Sequence, residues 1–152
     1  MTQVRVVPCR PCDLEPLLGE MAAFNALEAI PWTADTARPA VARLLTSPDL
    51  GAAAWLLEGE ARRGYCVLTW GYDLEWQGRD AILTELYLQP DARGRGLGTR
   101  VMPLVFDLAR RHDVRAVHLM VRPDNASAVR LYRRAGFEVP PRTFMTKVLD
   151  RA

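Results

Sequence analysis

The chain has 152 residues, enough for one domain around one core, and its 49% hydrophobic and 25% charged residues are the balance of a globular protein, not of a disordered or fibrous one. Twenty basic against eighteen acidic residues leave a formal charge of +2, too small to argue for a nucleic-acid partner. No apolar run approaches the roughly twenty residues that cross a bilayer, and the opening MTQVRVVPCRPCD lacks a signal-peptide core, so a cytoplasmic protein with no membrane partner is expected.

Val4 and Val6 alternate with Arg5 and Val7 in a first strand near residues 3–7 that ends at the prolines. Asp13 is placed to cap the helix that follows, in which Leu14, Leu17, Leu18, Met21, Ala22 and Phe24 recur at helical spacing. This helix is expected to end before Pro31. A second helix spans about 35–45, with Pro39 near its start and Ser47-Pro48 closing it. Cys9-Arg10-Pro11-Cys12 is formally a CxxC, but no second pair or histidine cluster supports a zinc site, so reduced cysteines and no metal are expected.

Residues 51–57 and 64–72 read as strands joined by the turn Glu58-Gly59-Glu60. Trp76-Gln77-Gly78-Arg79 is a second turn, carrying the one glycine needed there, and it returns the chain into a strand that holds Glu85. The stretch 82–105, ILTELYLQPDARGRGLGTRVMPLV, then runs from that strand through a glycine-rich turn into a helix. Ile82, Leu83, Leu86, Tyr87 and Leu88 form the strand, and Pro90 stops it. Leu97, Val101, Leu104, Val105 and Leu108 make a helical stripe, which Pro103 is expected to kink. Residues 116–121 read as another strand, 125–135 as a helix, and Gly136-Phe137 as the exit into a last pair of strands ending near Leu149.

The order βααβββαβαββ joins an antiparallel half to a βαβ half. It predicts a single-domain α/β (α+β) fold, with a mixed, mostly antiparallel central sheet flanked by helices.

In Arg93-Gly94-Arg95-Gly96-Leu97-Gly98, glycines at alternate positions let backbone NH groups crowd at the start of a helix, where unpaired donors and the helix dipole favour a phosphate. No Lys-Ser or Lys-Thr follows, and the spacing is not GxGxxG, so two common phosphate loops fit poorly. Arg93-x-x-Gly96-x-Gly98 matches the R/Q-x-x-G-x-G/A motif of the GCN5-related N-acetyltransferase superfamily. Asn125-Ala126-Ser127-Ala128-Val129-Arg130-Leu131-Tyr132-Arg133-Arg134-Ala135-Gly136-Phe137 resembles that family's N-x-x-A-x-x-L-Y-x-x-x-G-F. The element order agrees as well, so the resemblance covers nearly the whole chain.

The resemblance implies acetyl-coenzyme A as co-substrate, its pyrophosphate held by Arg93, Gly94, Arg95, Gly96, Leu97, Gly98 and Thr99. It implies that the backbone of Leu86, Tyr87 and Leu88 meets the pantetheine arm, which Asn125 also touches while capping its helix. A protonated amine needs a base, and Glu85, set in an apolar strand, has the best setting, because burial raises a carboxyl pKa toward the working pH. Its bland alternative is a structural glutamate paired with Arg79 or another basic neighbour. Tyr132 occupies the place of the family's general acid toward the departing thiolate, and its alternative is helix packing.

Trp32, Trp70, Tyr72, Trp76 and Tyr87 are candidates for an aromatic acceptor site, although such residues are more often packing. The expected partners are acetyl-coenzyme A and an amine acceptor, with a homodimer allowed and no nucleic acid. The expected activity is N-acetyl transfer to a primary amine of a small molecule or a protein; a non-catalytic acyl-coenzyme A sensor on the same fold is the alternative.

Overall fold

The computed structural model describes residues 1–150. β1 (Val4–Pro8) is an edge strand, so the missing NH of Pro8 costs no ladder bond. A 3-10 turn over Pro11–Asp13 leads into α1 (Leu14–Leu27). Asp13 precedes that helix without capping it; its Oδ2 accepts instead from the Arg10 backbone NH at 2.7 Å. α2 (Ala34–Thr46) begins at Thr33, whose Oγ1 accepts from the Thr36 NH at 3.3 Å, and it continues through Pro39.

β2 (Gly51–Glu58), β3 (Ala61–Asp73) and β4 (Gly78–Leu88) form an antiparallel meander. α3 (Leu97–Arg110) returns the chain to β5 (Ala116–His118), which pairs parallel with β4, and α4 (Ala126–Arg134) follows. The five strands lie in the order β1-β2-β3-β4-β5, so the sheet is mixed and mostly antiparallel, as expected. α3 runs unbroken through Pro103.

Two apolar layers hold the helices to the sheet. Leu17, Leu18, Met21 and Val41 of α1 and α2 pack on Trp55, Tyr65, Val67 and Tyr87. On the other face Leu97, Val101, Met102, Val105 and Leu108 of α3 pack on Leu56, Cys66, Leu68 and Leu83. Each fully buried leucine contributes roughly 1.5–3 kcal/mol, which is why these stripes and not helix propensity decide where the helices sit.

Four further expectations need correction. The left-handed residue of the β3–β4 turn is Gln77 (φ 58°), while Gly78 is the first residue of β4, where a Cβ would stand 3.1 Å from Arg115 Nε. β5 covers three residues, not six, because it pairs β4 only from Asp80 to Ile82. The last pair of strands does not form: residues 138–150 have no regular structure and are exposed. The aromatic residues do not gather into one cage. Trp70 packs on His112 (4.9 Å) and Trp76 near His118 (6.0 Å), Tyr72 is exposed, and Trp32 and Tyr87 belong to the α1–α2 layer.

Cys12 is exposed, whereas Cys9 and Cys66 are thiols whose burial raises their pKa, that of Cys66 to about 12. Among the described residues no three His, Cys, Asp or Glu side chains gather as a metal site would require.

Candidate active site

Leu83 and Leu86 both face α3, although strand alternation would put residues three apart on opposite faces. A bulge resolves this. Val67 pairs with Glu85 and Leu68 with Leu83, so Thr84 is the extra residue, and its Oγ1 donates to the Val67 carbonyl at 3.2 Å. Beyond the bulge Glu85 and Tyr87 turn toward α1, beside Val67 and Tyr65. Without it Glu85 would share the face of Leu83 and point into the α3 layer.

Burial is the main influence on Glu85 and raises its carboxyl pKa to about 7, against smaller lowering effects from Asn25 and Tyr65. Asn25 is the one buried polar residue of α1, 5% exposed, and its Nδ2 also donates to the Met21 carbonyl at 2.8 Å. Tyr65 is fully buried between Phe24 (6.5 Å, edge-on) and Tyr87 (5.9 Å), and its hydroxyl makes no hydrogen bond of good geometry, although it lies near enough to bias Glu85. Among the described residues Glu85 has no ion-pair partner. Arg79, the alternative partner, donates instead to the His112 carbonyl at 3.1 Å.

Neither Asn25 nor Tyr65 stood out in the sequence. Asn25 lies among the periodic residues of a helix where a polar side chain reads as solvated, and Tyr65 reads as a strand aromatic. The bulge did leave a trace, since an apolar strand spaced Leu83-x-x-Leu86 breaks period two.

The pairing of β4 with β5 stops at Ile82 and His118. From Leu83 onward the β5 side of β4 is open, so ladder groups of the Leu86–Leu88 stretch that face this side have no strand partner, while the other side pairs with β3. The opening widens into a cleft of about 590 Å³ whose walls include Leu86, Tyr87, Leu88, the glycine turn, Asn125 and Tyr132.

Gly94 (φ 69°) and Gly96 (φ 76°) take the left-handed conformation, with Gly96 at the cap position of α3, and a Cβ at either would meet nothing within 4 Å. Their side-chain directions are open space. Gly98 serves otherwise: a Cβ there would come within 3.0 Å of Leu131, so this glycine lets α4 approach α3. Leu97 is buried in the α3 layer and Thr99 is exposed on the cleft.

The arginines of the turn are engaged. Arg93 Nε donates to the Leu88 carbonyl at 2.7 Å and its guanidinium stands 5.4 Å from the Tyr87 ring. Arg95 and Arg100 reach Glu58 at 2.9 and 3.2 Å, and Arg63 reaches the same carboxylate at 3.5 Å. Burial opposes the charge of Glu58, but the three guanidiniums outweigh it and hold the carboxyl below its ordinary value. Of these arginines, the cleft lining includes Arg93.

Asn125 caps α4, its Oδ1 accepting from the Ala128 NH at 3.2 Å. Tyr132, about two turns further, packs edge-on against Phe137 (5.7 Å) and borders the cleft. Burial, with the nearby Glu28, pushes its phenol pKa up to about 12, so it keeps its proton.

Residues 21–137 match the acetyltransferase (GNAT) family. Mycothiol acetyltransferase of Clavibacter michiganensis subsp. michiganensis is 31% identical over 130 residues, 77% of this chain and 42% of that protein. L-methionine sulfoximine/L-methionine sulfone acetyltransferase of Pseudomonas aeruginosa is 27% identical over 108 residues, 62% of this chain and 63% of the relative. The chain thus spans between about two fifths and two thirds of the length of these relatives. Among solved structures, an integron cassette protein from the mobile metagenome of Cole Harbour Salt Marsh superposes with a TM-score of 0.82 at 30% identity, covering 99% of this chain and 92% of its own. By its matched residues and by a fold shared over nearly its full length, the chain belongs to the acetyltransferase (GNAT) family.

Proposed function

We propose that the protein moves an acetyl group from acetyl-coenzyme A to a primary amine, the amine attacking directly while both substrates are bound. The observation that carries this reading is the bulge at Thr84, which turns Glu85 from the α3 layer toward α1, where burial raises its carboxyl pKa to about 7 and no ion pair forms among the described residues. A structural glutamate needs none of this. A base that must hold and release a proton near neutrality does.

The cleft suits coenzyme A in two respects. NH groups at the start of α3 are set for a pyrophosphate, with no Cβ at Gly94 or Gly96 in the way, and the open side of β4 at Leu86 to Leu88 offers backbone partners to the pantetheine amides. Arg93 adds positive charge at the rim. Acetyl-coenzyme A supplies an activated acyl carbon. Glu85 accepts a proton from the ammonium form of the acceptor, directly or through water, freeing the nitrogen lone pair to form the new C–N bond. As the C–S bond breaks, Tyr132 donates its phenolic proton to the departing sulfur. Asn25 and Tyr65, beside the Glu85 carboxyl, temper its rise in pKa.

The relatives named above act on different acceptors, so the acceptor is assigned only as a primary amine, on a small molecule or a protein. Free-thiol release from acetyl-coenzyme A across an amine panel tests the reading. Amine-dependent thiol release is expected. Tight coenzyme A binding without release on any amine would make the protein a sensor.

A further inference from the structure

On the α1 side of the sheet lies a second cavity, of about 650 Å³, that shares no lining residue with the cleft and does not include Glu85. Its walls follow from strand alternation. Val7 of β1 pairs with Trp55 of β2, Leu57 of β2 pairs with Arg62 of β3, and all four line the cavity, which Glu20 enters from α1. Most of the charge here is answered locally: Asp13 lies beside Arg10, and Glu60 meets Arg5 at 2.8 Å. Two groups are not. Among the described residues, half-buried Glu20 accepts from the neutral amide of Gln89 at 2.6 Å and meets no cation, and half-buried Arg62 meets no carboxylate. One anion and one cation thus share a cavity without pairing with each other.

Both groups are held in position. The Arg62 guanidinium stands 3.6 Å from the centre of the Trp55 ring, where the face of the indole favours a cation. Gln89 fixes Glu20, and its own NH donates to the Arg63 carbonyl at 2.8 Å. Trp55 itself is 5% exposed, and its Nε1 has no hydrogen-bond partner, a rare condition for a buried donor. A plain anion would gain from Arg62 but meet Glu20 uncompensated, and a plain cation would meet Arg62 in the same way; a molecule carrying both charges satisfies both. We propose that this cavity binds a small zwitterion, its carboxylate on Arg62, its ammonium on Glu20 and its apolar body against Val7 and Leu57. A free amino acid and a short peptide share that chemistry, and the volume is ordinary for a small-molecule site.

Calorimetry on the full chain without coenzyme A tests this, with L-leucine and leucyl-leucine as probes, each beside its carboxyl amide and its N-acetyl form. At least one zwitterion should bind, and the tighter of the two identifies the occupant as amino acid or peptide. Each blocked form should bind at least roughly tenfold more weakly. Arg62→Ala should weaken the zwitterion by a similar factor yet leave the amide, which has no carboxylate to lose, unchanged. Glu20→Gln should do the same for the ammonium, sparing the N-acetyl form. Amide hydrogen exchange on the parent should show ligand protection at 17–21 and 55–62 and none at 86–99, which locates the site even if a variant fails to fold. No binding of either zwitterion, or blocked forms that bind as tightly, would overturn the proposal. Binding that survives both variants, or protection confined to 86–99, would place the ligand in the cleft and overturn it equally.

Discussion

A Cβ on Gly98 would lie 3.0 Å from Cδ2 of Leu131. α3 and α4 therefore touch at a glycine, and this contact sets where α4 carries Asn125 and Tyr132 along the cleft. Gly98→Val should lower the melting temperature and coenzyme A affinity together, and Leu131→Ala added to it should recover part of the stability, since removing the leucine end makes room for the valine.

Gly96→Val should behave differently. Its Cβ meets nothing within 4 Å, so packing is spared, but a φ of 76° costs a β-branched residue roughly 1–3 kcal/mol. The larger effect is expected on binding, because the new side chain stands where a phosphate would approach the NH groups. Calorimetry should find a folded protein that no longer binds coenzyme A; binding as tight as the parent's would move the phosphate seat elsewhere.

Glu58 gathers Arg63, Arg95 and Arg100, and its carboxyl is held below its ordinary value of 4.5. A depressed folded-state value means stability that is present above 4.5 and lost as pH falls through the folded-state value. Glu58→Gln should therefore melt lower than the parent at neutral pH, and the two curves should converge in acid. A gap that persisted unchanged at low pH would assign Glu58 a packing role.

How much of this was legible in the chain depends on the range of the interaction. Asn125 as a cap, the left-handed glycines and the apolar stripe of α3 are local, and the sequence carries them in adjacent residues. The arginines of the turn looked free because Glu58, their partner, lies 37 residues from Arg95. Gly78 looked like the turn residue because close packing against Arg115 cannot be seen from the turn itself. The strands expected near 138–149 have the right composition, but composition does not supply a partner strand, and residues 138–150 pair with none, Arg142 reaching Glu75 of the β3–β4 turn instead. Glu85 was legible as a buried carboxylate. Its direction was not, because it depends on a bulge set by the register with β3.

Tyr132→Phe should leave coenzyme A affinity almost unchanged, since the ring and its contact with Phe137 remain. If the phenol protonates the departing sulfur, turnover should fall roughly a hundredfold, and less with a donor whose thiol is more acidic. With the phenol pKa near 12, no alkaline loss of activity from Tyr132 is expected up to pH 10 or so. Parent turnover with both donors would make Tyr132 a packing residue.

A carboxyl raised to about 7 destabilises the fold once ionised: the stability it allows is complete below its ordinary value of 4.5 and is lost as pH rises through 7. Glu85→Gln should thus melt higher than the parent at pH 8 than it does, relative to the parent, at pH 5, by up to a few kcal/mol in stability. Asn25→Leu removes an amide that favours the charged form, so it should move the acid limb of the pH–rate profile upward from about 7. An unmoved limb would mean that Asn25 does not act on Glu85.

The account stands most directly on the turnover of Glu85→Gln, followed by thiol release with a saturating amine across pH 6 to 10 or so. A base is needed most where the amine is protonated, so the variant's deficit should be greatest near neutrality and shrink steadily as the amine loses its proton unaided. A loss of the same factor at every pH would contradict the assignment of Glu85 as the base and leave it a residue that only positions the acceptor or supports the strand.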